Sequence, residues 1–150
     1  MSRSDKIAVV ECYLNGLARK DLASVPFAPE ITFEGPRMPR LASRDMVVGF
    51  LTSILPFIKA IEIKQHIVEG DYVATVFDME TVNGVDHVMD LCHVVGGELT
   101  AIHSFYYPSQ ERSWTKTGQR WITQIALDGA SNLVKEFWPD LNSKFFHNHY

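Results

Sequence analysis

Cysteine, basic charge and long apolar runs are all scarce in this chain of 150 residues. Its two cysteines, Cys12 and Cys92, form no Cys-x-x-Cys pair, and we interpret both as reduced, buried thiols rather than a disulfide or a metal site. The net charge of -4 comes with no basic stripe, which argues against nucleic-acid binding. Because no apolar run is long enough for a membrane span and the polar start shows no secretory signal, we expect a cytoplasmic protein that binds no membrane.

Fingerprints of bound cofactors are missing as well. Neither a GxGxxG sequence nor a P-loop occurs, so we expect no cofactor. The aromatic tail holds His147 and His149, but a metal site normally needs three or four ligands and an ordered second shell. We therefore expect no metal.

The most strongly patterned stretch predicts three antiparallel strands joined by two tight turns. The strands are predicted at residues 72–82, 87–95 and 99–107, which are rich in β-branched and aromatic residues. Asn83-Gly84 and Gly96-Gly97 supply the left-handed conformations that hairpin turns need. Apolar residues occur at both parities along these strands, so we expect both faces of the sheet to be covered.

Helices are predicted ahead of this meander. Ile7, Val10, Leu14 and Leu17 recur at helical spacing and predict a first helix, on whose flank Tyr13 lies. The remaining elements are a short helix at 21–25, a strand at 31–34, a helix at 46–54 and a strand at 61–68. Helices thus precede an antiparallel sheet and are segregated from it, which predicts an α+β fold.

The composition changes after Pro108, and we divide the chain there. Residues 1–108 are predicted to form the α+β domain. Residues 109–150 are predicted to contain a linker, a helix at 121–138 and an aromatic tail. We expect this C-terminal part to pack on the same domain or on a dimer partner.

Three phrases resemble a known superfamily. They are Val9-Val10-Glu11-Cys12-Tyr13-Leu14-Asn15-Gly16-Leu17, Lys20-Asp21-Leu22 and Ile31-Thr32-Phe33-Glu34-Gly35-Pro36. Together with the strands that follow, they resemble the nuclear-transport-factor-2-like superfamily in its SnoaL-like, ketosteroid-isomerase-like branch, over about residues 6–108. The resemblance implies a cone-shaped α+β barrel in which N-terminal helices pack on a strongly curved antiparallel sheet. It also implies an apolar pocket for a small organic ligand, and a homodimer formed through the outer face of the sheet.

The resemblance also implies functional roles for individual residues. Tyr13 and Asp90 fall where ketosteroid isomerases place a pair of neutral donors around the substrate oxygen. The general base of those enzymes is an aspartate at the end of the first strand, where this chain has Gly35. Asp78 matches an aspartate of the Arg-x-Asp pattern of limonene-epoxide hydrolases, although Val76 replaces the arginine.

If the even-numbered meander residues face the pocket, as the resemblance implies, Asp78 and Asp90 lie close together on neighbouring strands. Two such carboxylates cannot both ionise cheaply in an apolar cavity, so we expect one to act as acid and the other as base. The expected catalytic residues are Tyr13, Asp78 and Asp90. The expected substrate-binding residues are Phe33, Phe50, Val76, Val88, Cys92, Ile102, Ser104 and Tyr106.

The sequence is compatible with two registers of the hairpins. The arrangement above needs a bulge or an odd-length loop in each hairpin, whereas strict two-residue turns at Asn83-Gly84 and Gly96-Gly97 would set Asp90 opposite His103 as an Asp-His dyad. Two classes of function also stay open. The first is a cofactor-independent acid/base enzyme (isomerase, cyclase or dehydratase/hydratase) for a small apolar oxygenated substrate. The alternative is a non-catalytic module for small-molecule binding or dimerisation.

Overall fold

The computed structural model describes residues 1–107, which form two helices packed on one mixed sheet. The helices are α1 (Arg3–Arg19) and α2 (Arg44–Ile54), with a 3-10 turn at Leu55–Phe57. The strands are β1 (Phe27–Glu34), β2 (Leu41–Ala42), β3 (Ile58–Glu69), β4 (Tyr72–Thr81), β5 (Gly84–Val95) and β6 (Glu98–Tyr107). Their order in the sheet is β2-β1-β6-β5-β4-β3, and the sheet curves without closing. The predicted α+β fold is confirmed, whereas the division at residue 108 and the C-terminal helix lie outside the described residues.

Two details of the prediction were wrong. The sheet is not antiparallel throughout, because β1 pairs with β6 in parallel. β1 is the first strand of the described residues and β6 is the last, so a long crossover connects them rather than a hairpin. The predicted helix at 21–25 is a turn, in which the Asp21 carboxylate accepts a hydrogen bond of 3.0 Å from the backbone N–H of Ala23. Such a local bond offers the backbone an alternative to the helix.

Helix α1 is fixed at both ends and lies against the inner face of the sheet. Ser2 caps it, accepting from the Asp5 backbone N–H at 3.1 Å while the Asp5 carboxylate accepts from the Ser2 backbone N–H at 3.0 Å. Lys20 ends it in the left-handed region, with φ of 61°. The buried stripe of α1 includes Val10 and Tyr13, so Tyr13 is held over the sheet. Neither helix of the described residues is long and apolar enough to cross a membrane.

The registers of the two hairpins decide which side chains face α1. In the β4–β5 hairpin, Thr81 pairs with Gly84, so the two-residue loop is Val82-Asn83 and Thr75 stands opposite Asp90. In the β5–β6 hairpin, a register shift after His93 places Asp90 opposite Ser104. The expected bulge is therefore present in the second hairpin and absent from the first. As a result, the inner face carries odd-numbered residues of β4 but even-numbered residues of β5 and, beyond the register shift, of β6.

The packing of α1 against the turn that follows it generates a first prediction. A Cβ atom added at Gly16 would lie 2.9 Å from the Asp21 carbonyl oxygen and 2.9 Å from Val25 Cγ2. We expect Gly16→Ala to lower the free energy of unfolding by about 1–3 kcal/mol, because overpacking outweighs the helix propensity of alanine. Chemical denaturation measures this. Asn15→Ala, at an exposed position of the same helix, is the control, and equal stability of both variants would contradict the prediction.

Candidate active site

A row of four polar side chains crosses the inner face of the sheet, which we call the polar row. His66 on β3 stands opposite Thr75, Thr75 opposite Asp90, and Asp90 opposite Ser104. The neighbouring rows on this face are apolar apart from one tyrosine. They are Val68, Val73, Cys92 and Ile102 on one side, and Ile63, Phe77, Val88 and Tyr106 on the other. The polar row is thus enclosed by apolar surface and lies beneath α1.

Asp90 is the centre of the polar row. It is only 2% exposed, and its carboxylate accepts hydrogen bonds from the side chains of Tyr13 and Ser104. Burial raises its pKa from 3.8 to about 6, although the two hydrogen bonds oppose the shift. Among the described residues, no group forms a hydrogen bond with Asp90 Oδ1. A buried carboxylate oxygen without a donor is uncommon, and it marks the position where a ligand group could bind.

Tyr13 supplies one of the donors from α1. Its ring packs edge-on against Phe27, with ring centroids 6.2 Å apart and planes at 72°, which fixes its direction. Burial, followed by the nearby charge of Asp90, raises the pKa of the Tyr13 hydroxyl well above its ordinary value of 10. The hydroxyl therefore keeps its proton and acts as a donor.

Five of the eight expected substrate-binding residues share the inner face with Asp90. They are Val88, Cys92, Ile102, Ser104 and Tyr106. Burial raises the pKa of the Cys92 thiol well above its usual range, so this residue contributes apolar wall and no thiolate. Burial, and then the nearby Asp86 carboxylate, raises the pKa of Tyr106 to about 12, so it too stays neutral.

Phe33 and Phe50 extend the apolar surroundings at β1 and α2. Their ring centroids are 5.5 Å apart and both side chains are buried. Gly35, which matches the position of the general base in ketosteroid isomerases, carries no carboxylate. A Cβ atom there would lie 3.1 Å from Met38 Sδ, so a methionine fills this space. Val76 faces away from the site on the outer face of the sheet, and the substrate-binding roles of the other seven residues remain predictions.

The expected pairing of Asp78 with Asp90 was wrong. Asp78 lies on the outer face, together with Val76, because the two-residue loop of the first hairpin reverses the parity between β4 and β5. There Asp78 Oδ1 lies 2.6 Å from His87 Nδ1, and its other oxygen lies 3.8 Å from Lys64 Nζ. These contacts are those of an outer-face ion pair, and they do not involve the inner face.

The alternative dyad of Asp90 and His103 was also wrong. His103 stands opposite Leu91 on the outer face, and its Nδ1 lies 3.5 Å from Glu34 Oε2. The bulge in the second hairpin is the cause, because it shifts β6 by one residue relative to a strict two-residue turn.

Asp86 and Thr75 are inner-face residues that sequence reasoning missed. Asp86 is only 3% exposed and lies four residues before Asp90 on β5. The period of two along a strand places it inward once Asp90 is inward, so the signal was present. Thr75 could not be found in this way, because its face depends on the loop between β4 and β5. Among residues 1–107, no group of three or more His, Cys, Asp or Glu side chains is arranged to hold a metal ion.

Comparisons with known proteins agree with this geometry at the level of the fold. A family model described as a domain of unknown function (DUF4904) matches residues 1–109. No curated protein matches the sequence.

Several solved structures share the fold at low sequence identity. A steroid delta-isomerase from Pseudomonas aeruginosa is 15% identical, with a TM-score of 0.64, and the match covers 90% of this chain and 96% of that one. An NTF2-like protein of unknown function from Cytophaga hutchinsonii is 18% identical, with a TM-score of 0.60 and coverages of 69% and 90%. A de novo designed protein with a curved β-sheet is 19% identical, with a TM-score of 0.68 and coverages of 81% and 97%. The predicted resemblance is thus confirmed for the fold.

The raised pKa of Asp90 generates a second prediction. Between pH 3.8 and about 6, the folded protein binds the Asp90 proton and the unfolded chain does not, so the contribution of Asp90 to stability falls as the pH rises through this window. A shift of this size corresponds to about 3 kcal/mol. We therefore expect Asp90→Asn to be more stable than the wild type by about 3 kcal/mol above pH 6, and to lose that advantage towards pH 4. Urea unfolding of both proteins at several pH values measures the difference, and a difference independent of pH would contradict the prediction.

Proposed function

The chain belongs to the DUF4904 family, and we propose that it is a cofactor-independent acid/base enzyme acting on a small, apolar, oxygenated substrate. The observation that carries this proposal is the buried Asp90 carboxyl, whose Oδ1 has no hydrogen-bond partner among the described residues. A group that must exchange protons at neutral pH works best when its pKa lies near that pH. The Asp90 pKa of about 6 meets this condition.

The geometry favours a single carboxyl that both accepts and returns the proton. As a carboxylate, Asp90 accepts a proton at Oδ1 from a carbon or hydroxyl group of the substrate. As an acid, it returns that proton at a second position, which is the requirement of an isomerisation or a dehydration. The Tyr13 and Ser104 hydroxyls donate to the carboxylate and keep it oriented through both steps. Asp86 lies about 13 Å from Asp90, four residues earlier on the same strand, so it does not share this proton.

The surroundings of Asp90 favour an apolar substrate. Val88, Cys92 and Ile102 are buried side chains of the inner face, and Phe33 and Phe50 add aromatic surface. Because this environment excludes water, a hydrogen bond between Asp90 and a substrate oxygen would be strong. The fold shared with a steroid delta-isomerase supports the same substrate class by analogy only.

The position that holds the general base in ketosteroid isomerases favours a second candidate function. Gly35 and the packing of Met38 leave no carboxylate at that position, so the protein could bind an apolar ligand at Asp90 without turning it over. In that case Asp90 and Tyr13 would form a recognition site for a ligand oxygen. Binding without proton exchange would distinguish this module from the enzyme.

The two candidates are separated by an exchange experiment with probe compounds. A panel of apolar cyclic ketones and enones is incubated with the protein in heavy water, and mass spectrometry reports deuterium at the carbons next to the carbonyl. For the enzyme we expect exchange that falls by about a hundredfold or more in Asp90→Asn, because a general base is removed. We expect Tyr13→Phe to slow the exchange less, since the base remains.

Asp78→Asn is the matched control, because it makes the same chemical change on the outer face. Its exchange rate should equal that of the wild type. Equal rates in Asp90→Asn and Asp78→Asn would contradict the enzyme proposal. Binding of a ketone, measured by calorimetry, without any exchange would favour the non-catalytic module.

We also propose that the outer face of the sheet forms a homodimer interface. Large apolar side chains are exposed on this face on three strands, with Ile67 at 53%, Tyr72 at 49% and Phe105 at 41%. Contiguous exposed apolar surface is characteristic of interaction sites.

Light scattering tests this interface. We expect the wild type to have the mass of a dimer, and Phe105→Glu to dissociate it, because a charge would be buried in the contact. Val82→Glu is the control, since Val82 is similarly exposed but lies in the hairpin loop. A monomeric wild type at high protein concentration would contradict the proposal.

A further inference from the structure

The polar row continues from Asp90 to the surface of the protein. Thr75 is fully buried, and its Oγ1 lies 2.8 Å from His66 Nδ1. His66 Nε2 in turn lies 3.1 Å from Glu11 Oε2 on α1. His66 is mostly buried, whereas the Glu11 side chain is partly exposed to solvent. A chain of polar groups therefore leads from the buried carboxyl, through a histidine, to an exposed carboxylate.

A break in the regular pairing of β3 and β4 brings His66 into this chain. Ile63 pairs with Phe77 but Gln65 pairs with Val76, so the register shifts at Lys64. Without the shift, the alternation that directs Ile61 and Ile63 inward would direct His66 outward. Bulges commonly redirect a side chain next to an active site. The irregularity thus places the one histidine of β3 beneath α1.

The next polar group across the strands from Thr75 is Asp90. Directly opposite residues of antiparallel strands have Cβ atoms about 5 Å apart, so Thr75 and Asp90 are neighbours across the strands, although no hydrogen bond joins them in this structure. Asp90 Oδ1 is the oxygen without a hydrogen-bond partner among the described residues. A hydroxyl group donates one hydrogen bond and accepts others. Thr75 is therefore suited to connect the carboxyl with the imidazole.

The polar groups from Asp90 to Glu11 can form hydrogen bonds in two complementary states. In the first, His66 is neutral with its proton on Nε2, donating to Glu11, and Thr75 donates to His66 Nδ1 while a protonated Asp90 donates to Thr75. In the second, His66 is an imidazolium that donates to both Glu11 and Thr75, and Thr75 donates to the Asp90 carboxylate. Every group from Asp90 to Glu11 would have a partner in each state, which requires the Thr75 hydroxyl to come within hydrogen-bond distance of the Asp90 carboxyl. The two states differ only in the position of one proton.

We propose that Thr75, His66 and Glu11 form a proton relay that exchanges the proton of Asp90 with solvent. In the outward direction the Asp90 O–H bond breaks as a new O–H bond forms at Thr75, and the original Thr75 proton moves to His66 Nδ1. The Nε2 proton then passes to Glu11 and from there to water. The proton count is conserved at each transfer, and the inward direction is the reverse. The relay rests on the proposed function only because it takes Asp90 as the group that gains and loses the proton.

The other groups that face Asp90 offer no equivalent route. Tyr13 faces it from α1 and Cys92 lies beside it on β5, and the raised pKa values of both keep their protons in place. Ser104 faces it from β6 with a hydroxyl alone. Thr75 faces it from β4 and leads to the His66 imidazole, which has two ring nitrogens that can accept or donate a hydrogen bond. Thr75 and His66 are thus positioning residues for the chemistry of Asp90.

The relay is tested by the rate at which Asp90 takes up a proton. The pH of the protein solution is lowered rapidly from above to below the Asp90 pKa of about 6. Time-resolved infrared absorption then follows the C=O stretch of the protonated carboxyl, assigned to Asp90 by its loss in Asp90→Asn. We expect Thr75→Val, which keeps the shape and removes the hydroxyl, to slow the appearance of this band about tenfold or more. Thr75→Ser should restore the rate.

Thr100→Val is the matched control, because it breaks a contact of the same kind outside the polar row, where Thr100 Oγ1 lies 2.6 Å from His93 Nδ1. Its rate should stay at the wild-type value. His66→Gln provides a second break in the relay if Thr75→Val does not fold, since an amide does not carry the proton onward. A wild-type rate in the relay variants, or equal slowing in Thr100→Val, would overturn the relay.

Failure of the relay is distinguishable from failure of the proposed function. The equilibrium titration of the same infrared band measures the Asp90 pKa directly. An ordinary pKa in the wild type would remove the basis of the acid/base function. A raised pKa with an unchanged protonation rate in Thr75→Val and His66→Gln would overturn the relay alone.

Discussion

The burial of one carboxyl group beneath α1 is the constraint on which the site depends. A carboxylate taken out of water loses its hydration, and this loss is compensated only in part by hydrogen bonds from Tyr13 and Ser104. The part of this loss that the hydrogen bonds do not compensate raises the pKa of Asp90 to about 6. In our proposal the raised pKa suits Asp90 to catalysis, because an acid of this strength exchanges its proton near neutral pH. The fold therefore tolerates a destabilising group on the inner face of the sheet, beneath α1.

The elements around Asp90 each contribute one feature of this environment. The capping box at Ser2 and the buried stripe of α1 hold Tyr13 over the sheet. The apolar rows on either side of the polar row keep the dielectric low, which strengthens the hydrogen bonds inside and raises the cost of the charge. The register shift in β3 brings His66 inward, and the one after His93 brings Ser104 opposite Asp90. These two irregularities turn scattered polar residues into a continuous row.

The arrangement also separates this chain from the pattern of ketosteroid isomerases that its sequence resembles. The donor positions are occupied by Tyr13 and Asp90, but the base position is Gly35 with Met38 packed beside it. With Asp78 on the outer face, no second carboxylate lies close to Asp90 on the inner face of the described residues. In our proposal a single carboxyl performs both proton transfers, and the polar row replaces the missing partner as the route for protons.

The sequence by itself determined the fold class, the first helix and the fact that Val88, Asp90 and Cys92 share one face of their strand. These follow from local patterns, namely helical spacing, β-branched runs, turn residues and the period of two within one strand. The resemblance to ketosteroid isomerases paired Tyr13 with Asp90 and implied that the face of Asp90 is the inner one. Only the tertiary structure decided which residues of different strands share a face. A loop of two residues at Val82-Asn83 moved Asp78 to the outer face and Thr75 to the inner one, and one extra residue in β3 moved His66 inward. Because a one-residue change of register reverses every side chain of a strand, the polar row depended on hairpin and bulge geometry that local patterns do not encode.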